Sequence, residues 1–222
     1  DAIPGHLRQG RGKDNADDLR QMTVKAPIYS ISRLRFGTDG KGITSLVAFM
    51  GCPLRCRHCI NNWCHSDPSQ ARLMSPEDLY GELMIDDIYF QMTGGGVCFG
   101  GGEPTLYPEF IRQFRKACGS RWRITVETAL TCTEDVIHDM VPVINKWIVD
   151  VKDLSEEIYE GYTGKRNDIR SKLKVLLDAG AATTVRVPHI PGYNCDADVA
   201  RTIGELRSMG FDDIDEFTYT TK

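Results

Sequence analysis

The sequence predicts an α/β fold built on a parallel sheet, and three observations carry that prediction. Short apolar, β-branched runs recur at Thr44–Met50, Gly96–Phe99, Arg123–Glu127, Trp147–Val151, Ala182–Val187 and near Ile214–Tyr219. A segment of helical period separates each run from the next. The 222 residues, 41% of them hydrophobic, suffice to bury a sizeable core without cross-links. Alternation of this kind demands a parallel sheet with helices outside and right-handed crossovers. Six units are too few for a closed eight-stranded barrel, so an open partial barrel and a flat doubly wound sheet both fit.

The elements follow in order. Residues 1 to about 27 are polar and of mixed charge and show no hydrophobic period, so they read as an extended arm before a core domain over 28–222. Thr44–Met50 reads as a buried strand. Ser75-Pro76-Glu77-Asp78 is a helix start with a cap, an N1 proline and first-turn acids, and Leu79, Leu83, Met84 and Ile88 are expected on one face. Further helices are expected at Pro108–Cys118, from a Thr133 cap to about Met140, and at Glu156–Tyr162, Asp168–Ala179 and Asp196–Met209.

Composition excludes several classes. Twenty-seven Lys and Arg against 31 Asp and Glu give a net charge of −4, so no basic field exists to hold a nucleic-acid backbone. The longest apolar runs, such as Ile43–Met50, are too short to span a bilayer. Asp1–Gly12 carries no apolar stretch of a secretion signal, and a cytoplasmic protein is expected.

Eight cysteines carry the chemistry. Cys52, Cys56, Cys59 and Cys64 crowd into 13 residues, whereas Cys98, Cys118, Cys132 and Cys195 stand alone and read as small buried residues. The C-x3-C-x2-C run directly after the first strand can hold three corners of an iron–sulfur cluster and leave the fourth iron open. A structural zinc completed by Cys64 or His65 is the alternative. A second motif, Gly100-Gly101-Gly102-Glu103-Pro104, follows the next strand. Its glycines would let backbone approach a ligand, and the Glu103 carboxylate would face an amine. In parallel α/β folds, ligands collect at the C-terminal ends of strands, so the two loops should sit side by side.

On these two motifs the chain resembles the radical S-adenosylmethionine (SAM) enzymes. Within them it is most similar to the pyruvate formate-lyase activating enzymes and related activases of glycyl-radical enzymes. The resemblance runs from about Ile31 to Tyr219. It includes Asp39-Gly40-Lys41-Gly42, where such activases carry D-G-P-G, and Asn61 beyond the triad. It also includes Glu127-Thr128-Ala129 in place of D-T-N-G, Val149-Asp150-Val151-Lys152, Gly164-Lys165-Arg166-Asn167 and Val185-Arg186. The resemblance implies a partial (β/α)6 barrel and one [4Fe–4S] cluster on Cys52, Cys56 and Cys59. SAM would lie against His58, Gly101, Gly102, Glu103, Lys152 and Arg186. His58 would stack near the adenine, and Lys152 and Arg186 would serve the carboxylate and ribose region. The implied reaction is reductive cleavage of SAM to a 5′-deoxyadenosyl radical, with the electron from an external donor such as flavodoxin or ferredoxin. The radical would then abstract hydrogen from a glycine of a partner enzyme. Asp39–Gly42 and Gly164–Asn167 are both expected on the open rim, where the partner's loop would enter. Two other readings remain: a radical SAM enzyme modifying a peptide or small molecule, and a non-catalytic iron–sulfur or zinc module.

Overall fold

The computed structural model describes residues 24–219. The strands are β1 (Ala26–Phe36), β2 (Ile43–Phe49), β3 (Arg72–Met74), β4 (Gly96–Gly101), β5 (Arg123–Thr128), β6 (Lys146–Asp150), β7 (Thr183–His189) and β8 (Ile214–Thr218). They form one sheet in the order β3-β1-β2-β4-β5-β6-β7-β8. The six expected strands are β2 and β4 to β8, and every pairing among them is parallel. Cys52 beyond β2 and Asp215 on β8 line the same cavity, so the sheet curls into a partial barrel instead of lying flat.

Two strands have no counterpart in the periodicity. β1 runs antiparallel to β2, and β3 antiparallel to β1. Charge hides β1: Arg33 donates to the buried Asp86, and Arg35 donates to the buried Asp39. Two register irregularities, between Ile28 and Ser30 and between Ser32 and Arg35, break its alternation further. Ala26 and Pro27, at the end of the expected arm, already belong to β1. The rest of that arm, residues 1–23, lies outside the described residues.

The helices are α1 (Pro76–Leu83), α2 (Asp87–Thr93), α3 (Pro108–Cys118), α4 (Glu134–Met140), α5 (Glu156–Thr163), α6 (Ile169–Asp178) and α7 (Asp196–Met209). The Ser75 hydroxyl accepts from Asp78 N at 3.1 Å, and Ser75 N donates to the Asp78 carboxylate at 3.3 Å, so the predicted start is a full capping box. Thr133 occupies the cap position of α4 but makes no side-chain cap bond. A 3₁₀ turn, Met84–Asp86, divides the single expected helix into α1 and α2. Leu79 and Leu83 are buried, but Met84 and Ile88 are exposed and Phe90 packs inside instead. The break serves two carboxylates. Asp86 accepts from Arg33 and from Ser45 Oγ at 3.1 Å, and Asp87 accepts from Trp122 Nε1 at 2.7 Å.

Val97 and Phe99 on β4 face outward, where Phe110, Ile111 and Phe114 of α3 cover them; all are 0–1% exposed. Phe99 meets Phe114 edge to face, with centroids 5.3 Å apart. The alternate residues, Cys98 and Gly100, face the barrel interior, where Gly100 lies against the Glu127 carboxylate and Leu46. Among the described residues, no helix is long and apolar enough to cross a membrane.

Candidate active site

The cysteine loop leaves the C-terminal end of β2 and is fastened on both flanks. Gly51 N donates to Cys64 O at 2.8 Å, closing the loop on itself. Arg55 N donates to Thr163 O at 2.8 Å and Arg57 N to Tyr162 O at 3.2 Å, which ties the loop to the end of α5. The Arg55 guanidinium folds back onto Cys52 O and Leu54 O, at 2.8 and 3.0 Å. This leaves Cys52, Cys56 and Cys59 half-buried around a cavity of about 330 Å³.

The glycine loop leaves β4 beside it. A Cβ on Gly102 would lie 2.1 Å from Gly51 O, and one on Gly101 (φ +82°) would lie 2.6 Å from the Ala48 Cβ. Gly102 N donates to Phe49 O and Glu103 N to Gly51 O, at 2.9 and 2.8 Å. The sequence assigns these glycines to a close approach of backbone to ligand. In the structure, the close approach is between the two loops themselves.

Glu103 is 2% exposed and accepts four protein hydrogen bonds. Thr105 N, Thr105 Oγ1 and Thr128 Oγ1 serve Oε1 at 3.1, 2.7 and 2.6 Å, and Ala129 N serves Oε2 at 3.0 Å. Burial pushes its carboxyl above the usual range, and the donors from Thr128, Thr105 and Ala129 oppose that. Oε2, with one partner, keeps accepting capacity toward the cavity.

Lys152 sits just beyond β6 with φ +64°, a left-handed conformation unusual for a side chain of this size. That backbone turns its ammonium inward, where Nζ donates to Asp150 Oδ2 at 2.7 Å and to Tyr219 OH at 2.6 Å. Burial alone would lower its pKa, but Asp150, Tyr219 and Cys56 raise it well above the ordinary lysine value, so the charge is held. On β7, Arg186 donates to Glu127 Oε1 at 3.0 Å and to Thr38 O at 2.9 Å, and its Nε lies 3.4 Å from Asp215. Burial pushes Glu127 up, and Arg186 opposes it. His58 lies at the mouth with the Tyr162 and Tyr193 rings each 6.0 Å away.

All nine residues singled out in the sequence therefore line one cavity: Cys52, Cys56, His58, Cys59, Gly101, Gly102, Glu103, Lys152 and Arg186. Tyr162, Asp150, Thr128, Ala129, Asp215, Phe217 and Tyr219 line it too; of these, Asp150, Thr128 and Ala129 fall within the motifs that carry the resemblance, but none is singled out there as a site residue. A signal existed at β8, where Asp215, Phe217 and Tyr219 share one face at spacing two. The lining carries four carboxylates (Glu103, Glu127, Asp150, Asp215) against the cations Lys152 and Arg186. That surplus suits a ligand with positive charge.

The loop brings three thiols to the cavity, and its other candidate ligands are engaged elsewhere or buried. Among the described residues, no three His, Cys, Asp or Glu side chains converge closely enough to hold one ion. His65 Nδ1 faces Arg55 at 2.8 Å, and Cys64 is buried. The neighbouring Cys64 thiol draws Cys59 below the ordinary thiol range, while burial pushes Cys52 up to about 12. Three thiols lining one cavity are the donor set a cluster with three protein ligands would need.

The two rim loops part company. Asp39–Gly42 enters β2 and so lies at the N-terminal end of the parallel strands, opposite the cysteine loop. Asp39 is 1% exposed there, and a Cβ on Gly40 would meet Thr125 Oγ1 at 2.9 Å. Gly164–Asn167 does stand beside the cysteine loop, with Gly164 against Arg55.

Comparison with known proteins agrees with this geometry. The profile of the Radical SAM superfamily matches residues 46–206. The chain is 30% identical over 197 residues to the pyruvate formate-lyase 1-activating enzyme of Escherichia coli strain K12, spanning 85% of this chain and 78% of that protein. It is 27% identical over 205 residues to the pyruvate formate-lyase-activating enzyme of Staphylococcus aureus strain USA300, spanning 87% and 80%. Among solved structures, Streptococcus suis SuiB bound to S-adenosylmethionine shares the fold, with a TM-score of 0.58 and 18% identity over 78% of this chain and 38% of that one. A cysteine loop and a G-G-E loop locked together at the mouth of a partial barrel are thus set in a sequence that the superfamily profile covers for most of its length, and the chain belongs to the radical SAM superfamily.

Proposed function

We propose that the protein is an activating enzyme of a glycyl-radical enzyme. It would bind one [4Fe–4S] cluster on Cys52, Cys56 and Cys59 and SAM in the adjoining cavity. When bound, the cluster and SAM supply the radical chemistry: one electron from an external flavodoxin- or ferredoxin-type donor breaks the sulfonium C–S bond, giving methionine and a 5′-deoxyadenosyl radical. The protein's part is binding, orientation and exclusion of water. Glu103, through Oε2, would accept from the SAM amino group with the glycine-loop carbonyls. Lys152 has one ammonium hydrogen beyond its bonds to Asp150 and Tyr219, and would offer it to the SAM carboxylate. Arg186, already braced by Glu127 and Thr38, would serve the ribose region, and the His58 face would lie near the adenine.

The observation that carries the activase reading is the 30% identity to a pyruvate formate-lyase activating enzyme over 78% of that relative. The position of Gly164–Asn167 beside the cysteine loop supports it, since a partner loop reaching the cavity would pass there. Asp39–Gly42, at the far end with Asp39 buried, does not contribute. The test is electron paramagnetic resonance of the reduced, SAM-loaded protein mixed with a glycyl-radical enzyme encoded beside it. A glycine-centred doublet on the partner is expected. Deoxyadenosine formation driven by a short peptide or small molecule, with no protein radical, would assign the enzyme to substrate modification instead.

A further inference from the structure

Asn167 closes the Gly164–Asn167 turn, and its amide is held at both ends. Lys172 Nζ donates to Asn167 Oδ1. An ammonium can only donate, so this bond fixes which end of the amide is oxygen. Asn167 Nδ2 therefore points the other way, toward Ala129 O at 3.0 Å, Leu130 O at 3.3 Å and Tyr159 OH at 3.1 Å.

Those carbonyls belong to the loop after β5, which is strained. Leu130 has φ +49°, a conformation unfavourable for leucine, while its side chain is fully buried. Leu130 N donates to Thr128 Oγ1 at 2.8 Å, which orients that hydroxyl's own hydrogen toward Glu103 Oε1. Ala129 N donates to Glu103 Oε2. Two of the four donors on Glu103 thus come from the last residue of β5 and the first of the strained loop after it, whose carbonyls Asn167 holds. Thr128 and Ala129 line the cavity, whereas Asn167 is not among the lining residues. The segment leading into the same turn also receives the cysteine loop, through Tyr162 O and Thr163 O.

We propose that Asn167 is a positioning residue for the SAM site: it holds the β5 loop so that Thr128 and Ala129 orient Glu103 toward the ligand. The proposal rests on the reading that this cavity takes SAM. Asn167→Asp is the sharpest variant, because the carboxylate still accepts from Lys172 but cannot donate to the two carbonyls. Asn167→Ala removes both ends.

The experiment compares the anaerobically reconstituted protein with Asn167→Asp, Asn167→Ala, Glu103→Gln and the Asn167→Asp/Glu103→Gln double variant. Iron per chain, the thermal midpoint and the SAM dissociation constant by equilibrium dialysis are measured for each. Both Asn167 variants should weaken SAM at least about fivefold, the scale of a lost buried hydrogen bond, with iron and midpoint kept. In SAM cleavage, the loss should fall on KM, with kcat at saturating SAM unchanged. The double variant should be weakened by less than the product of its single effects, because both residues act through one carboxylate. Glu103→Gln impaired but both Asn167 variants normal would overturn the proposal and leave the SAM pocket standing. Fully multiplicative effects, or loss of iron or folding together with SAM affinity, would overturn it as well, in favour of an independent strut. Normal SAM binding by Glu103→Gln would instead overturn the pocket reading beneath it.

Discussion

Lys152 and Glu103 are both buried and both already bonded to protein, yet each keeps one unused bonding direction toward the cavity. Removing one partner of a charge-assisted bond shielded from water costs about 2–5 kcal/mol. Lys152→Ala should therefore weaken SAM at least tenfold in equilibrium dialysis while the visible spectrum of the cluster is kept. Unchanged affinity would mean that the ammonium serves only Asp150 and Tyr219. Cys56→Ala should abolish iron binding on reconstitution, whereas Cys132→Ala should leave it intact; iron analysis of the two variants checks the ligand choice. At this scale much was legible in the sequence. Residues whose chemistry depends on a motif, such as the triad and G-G-E, announce themselves, and all of them reach the cavity. Asp150 and Tyr219 announce themselves less, because their bonds to Lys152 depend on its left-handed backbone, which no spacing rule encodes, although Tyr219 shares the spacing-two face of Asp215 and Phe217.

At the level of elements, the glycine loop and helix α3 make the firmest expectations. Gly102→Ala would set a Cβ 2.1 Å from Gly51 O and 2.7 Å from Phe49 O, backbone atoms with little room to move. Iron retention and SAM affinity should fall together, since the clash pushes the two loops apart; loss of only one would show that they are independent. Phe114→Ala removes a fully buried ring that touches Phe99 and Trp122, and should cost about 3–5 kcal/mol in urea unfolding. Helices α3, α5 and α7 stood where period and caps put them. The α1–α2 segment did not, because the demands of Asp86 and Asp87 for buried donors outweigh a regular apolar phase. Strand β1 carries no strand-like period for a related reason. Its arginines satisfy buried carboxylates, so its inward positions read as polar surface. Likeness to a motif puts Asp39–Gly42 on the open rim, whereas its position before β2 sets it at the end of the barrel opposite the cysteines.

Across the whole molecule, one geometric relation places the site: β2 and β4 are adjacent and parallel, so the loops that leave them meet at one end of the barrel. The remaining strands then bring Glu127, Asp150, Lys152, Arg186 and Asp215 to the same mouth, with acidic groups in excess. The measurement that tests this account most directly is SAM cleavage by the anaerobically reconstituted, dithionite-reduced protein. The account predicts about four irons per chain, a colour bleached by air, and equal amounts of 5′-deoxyadenosine and methionine that vanish in the Cys56→Ala variant. A colourless protein holding one zinc and no iron, or an iron-loaded and reduced protein that leaves SAM intact, would contradict it.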